Sequence, residues 1–143
     1  MLKVIFLLSI MTMSIVPKRS VRTVDSHKYV TVEIKKNSVA VENGKPFSVF
    51  IQLKPAYGIH LNAKPPVSVK SLTDNLKMKV EDVPIVGEWI DPARPIEIKG
   101  NVISMNSVRH EAKFVLSYTY CSEKEKWCRF GNDTISIFLK AKK

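Results

Sequence analysis

Apolar and polar residues alternate with a period of two along most of the chain. The alternation is clearest in Tyr29–Lys35, Phe47–Lys54, Val67–Lys70, Leu76–Val83, Ile96–Gly100, Ala112–Tyr120 and Thr134–Ala141. A period of two places successive side chains on opposite faces, as in a β-strand with one buried face and one wet face. The pattern therefore predicts short strands throughout, and no helix of useful length beyond the amino-terminal apolar run.

Turn residues separate these segments, beginning with Asn43-Gly44 and Pro55. Weaker patterns predict short strands at Asn37–Val41 and Asn101–Ser104, a loop at Val86–Pro95 and a turn at Gly131–Asp133. Seven or more short alternating strands joined by turns are typical of an immunoglobulin-like antiparallel β-sandwich. We therefore predict an all-β fold of that type, formed as one domain by residues 24–143.

Composition and charge exclude some functions. The 143 residues are 45% hydrophobic, which is enough for a core without disulfide staples. The net charge is +10, but the basic residues are spread out, with no Arg-rich run and no glycine–aromatic motif. The chain therefore lacks the signs of a nucleic-acid-binding module. A basic surface of this kind favours an acidic protein partner or an anionic membrane surface.

Residues 1–23 resemble an export signal or an uncleaved membrane anchor followed by a short linker. Val4–Val16 is apolar, too short for a confident membrane span of roughly 20 residues and typical of a signal peptide. Thr12–Ser14 is a poor cleavage site, and Pro17–Arg19 would suit an anchor. A buried first strand or helix is the alternative. Export to the periplasm or a similar compartment would let disulfides persist.

The two cysteines, Cys121 and Cys128, have six residues between them. The usual immunoglobulin disulfide joins strands far apart in sequence, so this pair must lie on adjacent strands across a tight loop, or within the loop. Closing so small a ring stabilises the fold by about 2–3 kcal/mol. A domain with an ample core hardly needs that, so the pair is better suited to being opened and closed. A structural disulfide is the alternative.

Charged side chains flank the cysteines. Lys124, Lys126 and Arg129 favour the thiolate, the form that attacks a disulfide, whereas Glu123 and Glu125 oppose it. The sequence leaves the net effect open. The cysteines and the histidines lack the spacing of zinc ligands, so we predict no metal site. The histidines are His27, His60 and His110.

The cysteine segment resembles a known redox site. The run LSYTYC (Leu116–Cys121), a short polar loop and then Trp127 and Cys128 resemble the active-site segment of the amino-terminal periplasmic domain of DsbD, a transmembrane thiol:disulfide interchange protein. Leu53–Asn62 resembles the segment of that family that passes beside the cysteines. The resemblance extends from about residue 29 to residue 139.

The resemblance implies an electron carrier of the protein-disulfide reductase type, without metal or small cofactor. It would take electrons from a thioredoxin-like or membrane donor and reduce exported thioredoxin-like partners, such as disulfide isomerases or the thioredoxins of cytochrome c maturation. Cys128 would form the mixed disulfide with the partner, and Cys121 would resolve it. Tyr57 and His60 would line the dithiol.

The family also shields its disulfide with a cap loop, which by order is Val86–Gly100 in this chain. Trp89 is the aromatic residue of that loop, and Asp91–Pro95 replaces the family's usual tip. Trp127 would either pack on the sulfur or form part of a docking surface. DsbD continues into membrane helices and a thioredoxin domain, whereas this chain ends at Lys143, so we expect a free-standing carrier with separate donor and acceptor.

Two other functions remain open from the sequence. The first is a non-catalytic immunoglobulin-like binding module whose disulfide is structural. The second is an assembly or chaperone-like factor that does not use its cysteines.

Overall fold

The computed structural model describes residues 28–105 and 107–142. The predicted signal or anchor at residues 1–23 therefore lies outside the described residues, as does His27. The strands are β1 (Val30–Ile34), β2 (Ser38–Val41), β3 (Pro46–Pro55), β4 (Ile59–Asn62), β5 (Ser68–Ser71), β6 (Leu76–Asp82), β7 (Ile85–Val86), β8 (Trp89–Ile90), β9 (Ile96–Val102), β10 (Arg109–Ser122) and β11 (Trp127–Ala141). No helix in the described part is long and apolar enough to cross a membrane.

The strands form two sheets that face each other. One has the order β1-β3-β9-β6, and the other has the order β2-β11-β10-β4-β8-β7, with β5 also pairing with β10. In chain order these are the A-B-E-D and G-F-C arrangements of an immunoglobulin domain. Neighbouring strands are antiparallel except β2, which runs parallel to β11. The prediction of an all-β, immunoglobulin-like sandwich is confirmed.

The core lies between the sheets and is built from alternate residues. In β9 the side chains of Ile96 and Ile98 are fully buried, and in β10 the same is true of Phe114 and Leu116. Removing one such side chain from water stabilises the fold by about 1.5–3 kcal/mol. The core contains more than twenty buried apolar residues, so we expect the fold to persist when the disulfide is reduced.

Two glycines lie inside continuous strands, although the sequence places one at the end of a strand and the other in a turn. Gly131, which the sequence places in a turn, lies inside β11, and glycine is needed there because a Cβ would come within 2.4 Å of Tyr118 Cζ. Gly100 lies inside β9, where a Cβ would come within 2.3 Å of Phe47 Cζ. The predicted turn at residues 131–133 is therefore wrong, and the two short strands expected between residues 96 and 104 are one strand. Both glycines make room for an aromatic ring.

The predicted loop at residues 86–95 contains a small hairpin. β7 and β8 pair through Ile85↔Ile90 and Val86↔Trp89, and Gly87 adopts φ 63° in the connection. The hairpin joins the larger sheet because Trp89 pairs with Asn62 of β4. Strands of two residues are too short to show a period in the sequence, so the alternation could not reveal them.

Candidate functional site

The two cysteines face each other across the hairpin of β10 and β11. The register pairs Cys121 directly with Cys128, and the disulfide joins them at a Cα–Cα distance of 4.0 Å. Four turn residues, 123–126, connect the strands. Lys126 takes a left-handed φ of 56°, and the Glu125 backbone N–H donates to Ser122 Oγ at 3.2 Å. Of the two arrangements left open by the sequence, the structure has the first, adjacent strands across a tight loop.

Strand alternation places the disulfide on the outer face of the larger sheet. Tyr118 and Tyr120 point into the core, so the next residue, Cys121, points away from it. Its direct neighbour on β4 is His60, and the diagonal neighbour is Asn62. The Asn62 side-chain amide, Nδ2, donates a hydrogen bond to Cys121 Sγ at 3.1 Å. The buried sulfur therefore has a fixed polar donor beside it.

The two cysteines differ in exposure. Cys121 is 6% exposed, whereas Cys128 is exposed. The difference follows from their strands, because β10 lies between β11 and β4 while β11 has β10 on one side of Cys128. A thiol arriving from solution therefore reaches Cys128 before Cys121.

His60 and Trp89 form the wall of the site on the β4 side. Their ring centroids are 5.0 Å apart, and His60 Nε2 lies 3.6 Å from Glu123 Oε2 in the hairpin turn. Trp89 pairs with Asn62, which pairs with Thr119, so the backbone of Trp89 lies two strands across and two residues along from that of Cys121, roughly 12 Å away. Trp89 thus stacks on His60, and His60 is the residue directly beside the buried cysteine.

A shallow cleft continues from this wall to the β7–β8 hairpin. Among the residues that line it are His60, Val86, Trp89, Ile90, Asp91 and Pro92. The segment that the resemblance makes a cap therefore borders the same face of the sheet as the disulfide.

Trp127 lies on the opposite face of the hairpin from the disulfide. Its ring centroid is 5.1 Å from that of Tyr29 and 6.0 Å from that of Tyr120, at the rim of the core. The indole Nε1–H donates to Glu125 Oε2 at 2.6 Å. The guanidinium of Arg129 stacks on it at 4.5 Å from the ring centroid. These contacts hold the hairpin onto the sandwich from the side away from the sulfurs.

Tyr57 is fully exposed in the turn between β3 and β4. A ring in open solvent packs on neither cysteine. Of the residues that the sequence associated with the dithiol, the structure brings His60 beside Cys121, Trp89 beside His60, and Trp127 behind the hairpin.

Asn62 and Phe130 are site residues that the sequence analysis missed. Asn62 could be placed on the same strand face as His60 by alternation, but its contact with Cys121 depends on the register of β4 on β10. Phe130 is 71% exposed and follows Cys128 by two positions, so it lies on the same outer face. An aromatic residue just before a predicted turn gives no signal of that position.

The two glutamates of the hairpin turn both contact a neighbouring ring. Glu125 binds Trp127 and Glu123 lies near His60, whereas Lys124 and Lys126 are exposed at the tip of the hairpin. Among residues 28–105 and 107–142 no group of three or more His, Cys, Asp or Glu side chains could hold a metal ion.

Comparison with known proteins gives no family for this chain. No protein-family model matches the sequence, and no curated protein sequence is similar to it. Among solved structures, the GAE domain of yeast GGA1 is 9% identical, with a TM-score of 0.47, and the match covers 79% of this chain and 96% of that one. Murine CRIg is 11% identical, also with a TM-score of 0.47, over 80% of this chain and 99% of that one. Similarities this low carry no argument about the fold or the function, and the assignment above rests on the strand order.

Proposed function

We propose that the chain is an exported thiol–disulfide exchange protein that passes reducing equivalents through Cys121 and Cys128. The observation that carries the proposal is the asymmetry of the bond. One sulfur is exposed on β11, and the other is buried beside the Asn62 amide. An exchange site needs one sulfur open to attack and one that can leave as a stabilised thiolate.

The exchange takes place in two steps. A partner thiolate attacks Cys128 Sγ, a new S–S bond forms, and the electron pair of the old bond leaves with Cys121 Sγ as a thiolate. The second thiol of the partner, once deprotonated, then attacks the partner's own sulfur in the mixed disulfide. The partner leaves oxidised, and Cys128 leaves as a thiolate, so the chain has gained two electrons. Reduction of an acceptor disulfide runs the same steps in reverse.

The resemblance to the amino-terminal domain of DsbD supports the same assignment of roles. It makes Cys128 the cysteine of the mixed disulfide and Cys121 the resolving one, which agrees with their exposure. Under this proposal the donor and the acceptor are thioredoxin-like exported proteins. The chain then works in the periplasm or an equivalent compartment, free or held by residues 1–23.

The proposal is tested by the reduction potential of the disulfide and by trapping. We expect a potential in the carrier range, roughly −270 to −180 mV. We also expect a mixed disulfide between a Cys121→Ala variant and thioredoxin-like proteins, and none with Cys128→Ala. A potential below about −300 mV, together with no trapped partner, would instead support a binding module with a structural disulfide. Unchanged cellular function of a Cys128→Ser variant would support the assembly factor.

A further inference from the structure

Among the described residues, the side of β11 away from β10 is an open sheet edge next to Cys128. The register between β10 and β11 is continuous from Arg109↔Lys140 to Ser122↔Trp127. On the other side, β2 pairs with β11 between Phe138 and Ala141. Within the two described ranges no strand pairs with the outer side of residues 127–137 of β11.

The backbone groups of Cys128 itself point to this edge. The N–H of Phe138 donates to Asn37 O at 2.7 Å, and that of Lys142 donates to Val41 O, both on the β2 side. In an antiparallel ladder alternate residues direct N–H and C=O to the same side, so Phe130 and Cys128 also direct theirs away from β10. The Cα–Cα distance of 4.0 Å at the disulfide agrees, because pairs without mutual hydrogen bonds approach to about 4.5 Å.

We propose that this edge binds an extended segment of the partner protein as an added strand, with the partner's cysteine opposite Cys128. The inference rests on the proposed thiol–disulfide exchange and applies to a partner whose reacting cysteine lies in an extended segment, not to a thioredoxin-like partner whose cysteine begins a helix. Backbone hydrogen bonds of an added strand give affinity, and its alternate side chains give specificity. The N–H and C=O of Cys128 would both bond to the residue that carries the attacking sulfur.

The added strand would also align the reacting atoms. Directly opposite residues in a sheet point to the same face, and neighbouring strands are roughly 4.8 Å apart. The partner's cysteine, Cys128 and Cys121 then form a row across three strands. The incoming sulfur approaches Cys128 Sγ from the side opposite the bond to Cys121. The partner thiolate supplies the pair of the new S–S bond, and Cys121 leaves with the pair of the old one.

The side chains at the edge define the chemistry of the segment. Phe130 is 71% exposed on the face that carries Cys128, so it would contact an apolar residue two positions from the partner's cysteine. Lys124 and Lys126 are exposed at the hairpin tip and would attract carboxylates at that end. The edge thus fits an extended cysteine segment with apolar residues at alternate positions and acidic residues close by.

The test uses a five-residue peptide with a central cysteine, glutamates beside it and valines at its ends. Its twin carries an N-methyl group on the cysteine nitrogen, which removes the N–H that would bond to Cys128. We measure the rate at which each reduces the disulfide of the full chain, with glutathione as the small-thiol reference. The parent peptide is expected to react roughly tenfold faster than its twin, as for the loss of one or two hydrogen bonds.

Variants of the protein locate the effect. Phe130→Pro removes the next edge-facing N–H after that of Cys128 without touching the ladder to β10 and should slow reduction by the parent peptide, whereas Phe130→Ala keeps that N–H and should slow it less. Thr134→Pro makes the same change about 20 Å from Cys128 along the strand and should have no effect. Far-UV circular dichroism checks the folding of each variant, and the peptide pair tests the proposal even where a proline variant does not fold.

Equal rates for the two peptides would overturn the edge proposal. Equal rates are also the result expected if residues 1–27 occupy the edge. Sedimentation could instead show a dimer that must dissociate before the peptide can reduce the disulfide. The edge would then be occupied by a second copy of this chain, and the proposal would be overturned. In either case glutathione would still reduce the disulfide, and the proposed function would stand. A disulfide inert to every thiol would remove the proposed function itself.

Discussion

Replacing Asn62 by leucine tests whether the amide makes Cys121 the leaving sulfur. Asn62 Nδ2 lies 3.1 Å from Cys121 Sγ, and its side chain occupies the outer sheet face next to the disulfide. Leucine has a similar size but no donor. The variant therefore removes the hydrogen bond that would hold the thiolate after the S–S bond breaks.

The size of the effect follows from the charge on the leaving sulfur. A hydrogen bond to a charged group contributes about 1.5–3 kcal/mol, which is roughly 10-fold to 100-fold in the equilibrium for forming the thiolate. In the transition state the leaving Cys121 sulfur carries about half of its final charge. Loss of the hydrogen bond should therefore slow attack on Cys128 roughly 3-fold to 10-fold. The oxidised state should change little, because its sulfur is neutral.

The assay is single-turnover reduction by dithiothreitol, quenched with acid and counted by thiol alkylation and mass spectrometry. The matched control is Asn132→Leu, since Asn132 is an exposed amide on β11 that accepts a hydrogen bond from Ser117 and lies away from the sulfurs. Asn132→Leu should react at the wild-type rate. If Asn62→Leu reacts at that rate as well, the amide has no part in sulfur departure and the asymmetry argument rests on exposure alone.

Three further changes test the packing and the order of the cysteines. Gly131→Ala should destabilise the fold by about 1–3 kcal/mol in urea denaturation, because the new Cβ would lie 2.4 Å from Tyr118 Cζ; unchanged stability would show that the ring has room to move. Burial and the 2.5 Å hydrogen bond to Asp133 raise the pKa of Tyr118, so the stability that Tyr118 contributes is complete below about pH 10 and is lost as pH rises further. Tyr118→Phe should lower the free energy of unfolding by about 1–3 kcal/mol at neutral pH, and that free energy should then fall less above pH 10 than in the wild type; an equal fall in both proteins would contradict this cause. After reduction at neutral pH, a maleimide should label Cys128 several-fold faster than Cys121, as peptide mapping would show; preferential labelling of Cys121 would reverse the proposed roles.

The sequence predicts most strands well because they are half-buried, and a half-buried strand shows its period directly. β1, β3, β6 and β10 are found within a few residues of the alternating segments. The sequence does not reveal the small hairpin at residues 85–90, because strands of two residues cannot show a period. Gly131 misleads because glycine is read as a turn residue, whereas here it yields space to a ring on the neighbouring strand.

The site is less predictable because it depends on register between distant segments. Cys121 and Cys128 are near in sequence, so their pairing follows from short-range geometry. His60 meets Cys121 through a pairing of strands separated by some 60 residues, and no local pattern sets that register. Trp127 is different: once Cys128 lies on a strand facing outward, alternation alone puts its neighbour on the inner face. The sequence does not show that the strand already begins at residue 127, so the inner position of Trp127 could not be predicted from it.

The position of the hairpin in the sheet explains why the disulfide is asymmetric. A bond between two interior strands would have both sulfurs covered by neighbours, and a bond within an isolated hairpin would leave both open. Here β10 has β4 beside Cys121, with His60 and Asn62 on the same face, while β11 borders solvent at Cys128. The sheet order therefore makes Cys128 the exposed sulfur and Cys121 the buried one, which under the proposed function are the attacked and the leaving sulfur. A permanent strand over the β11 edge would remove this difference in exposure without altering either cysteine.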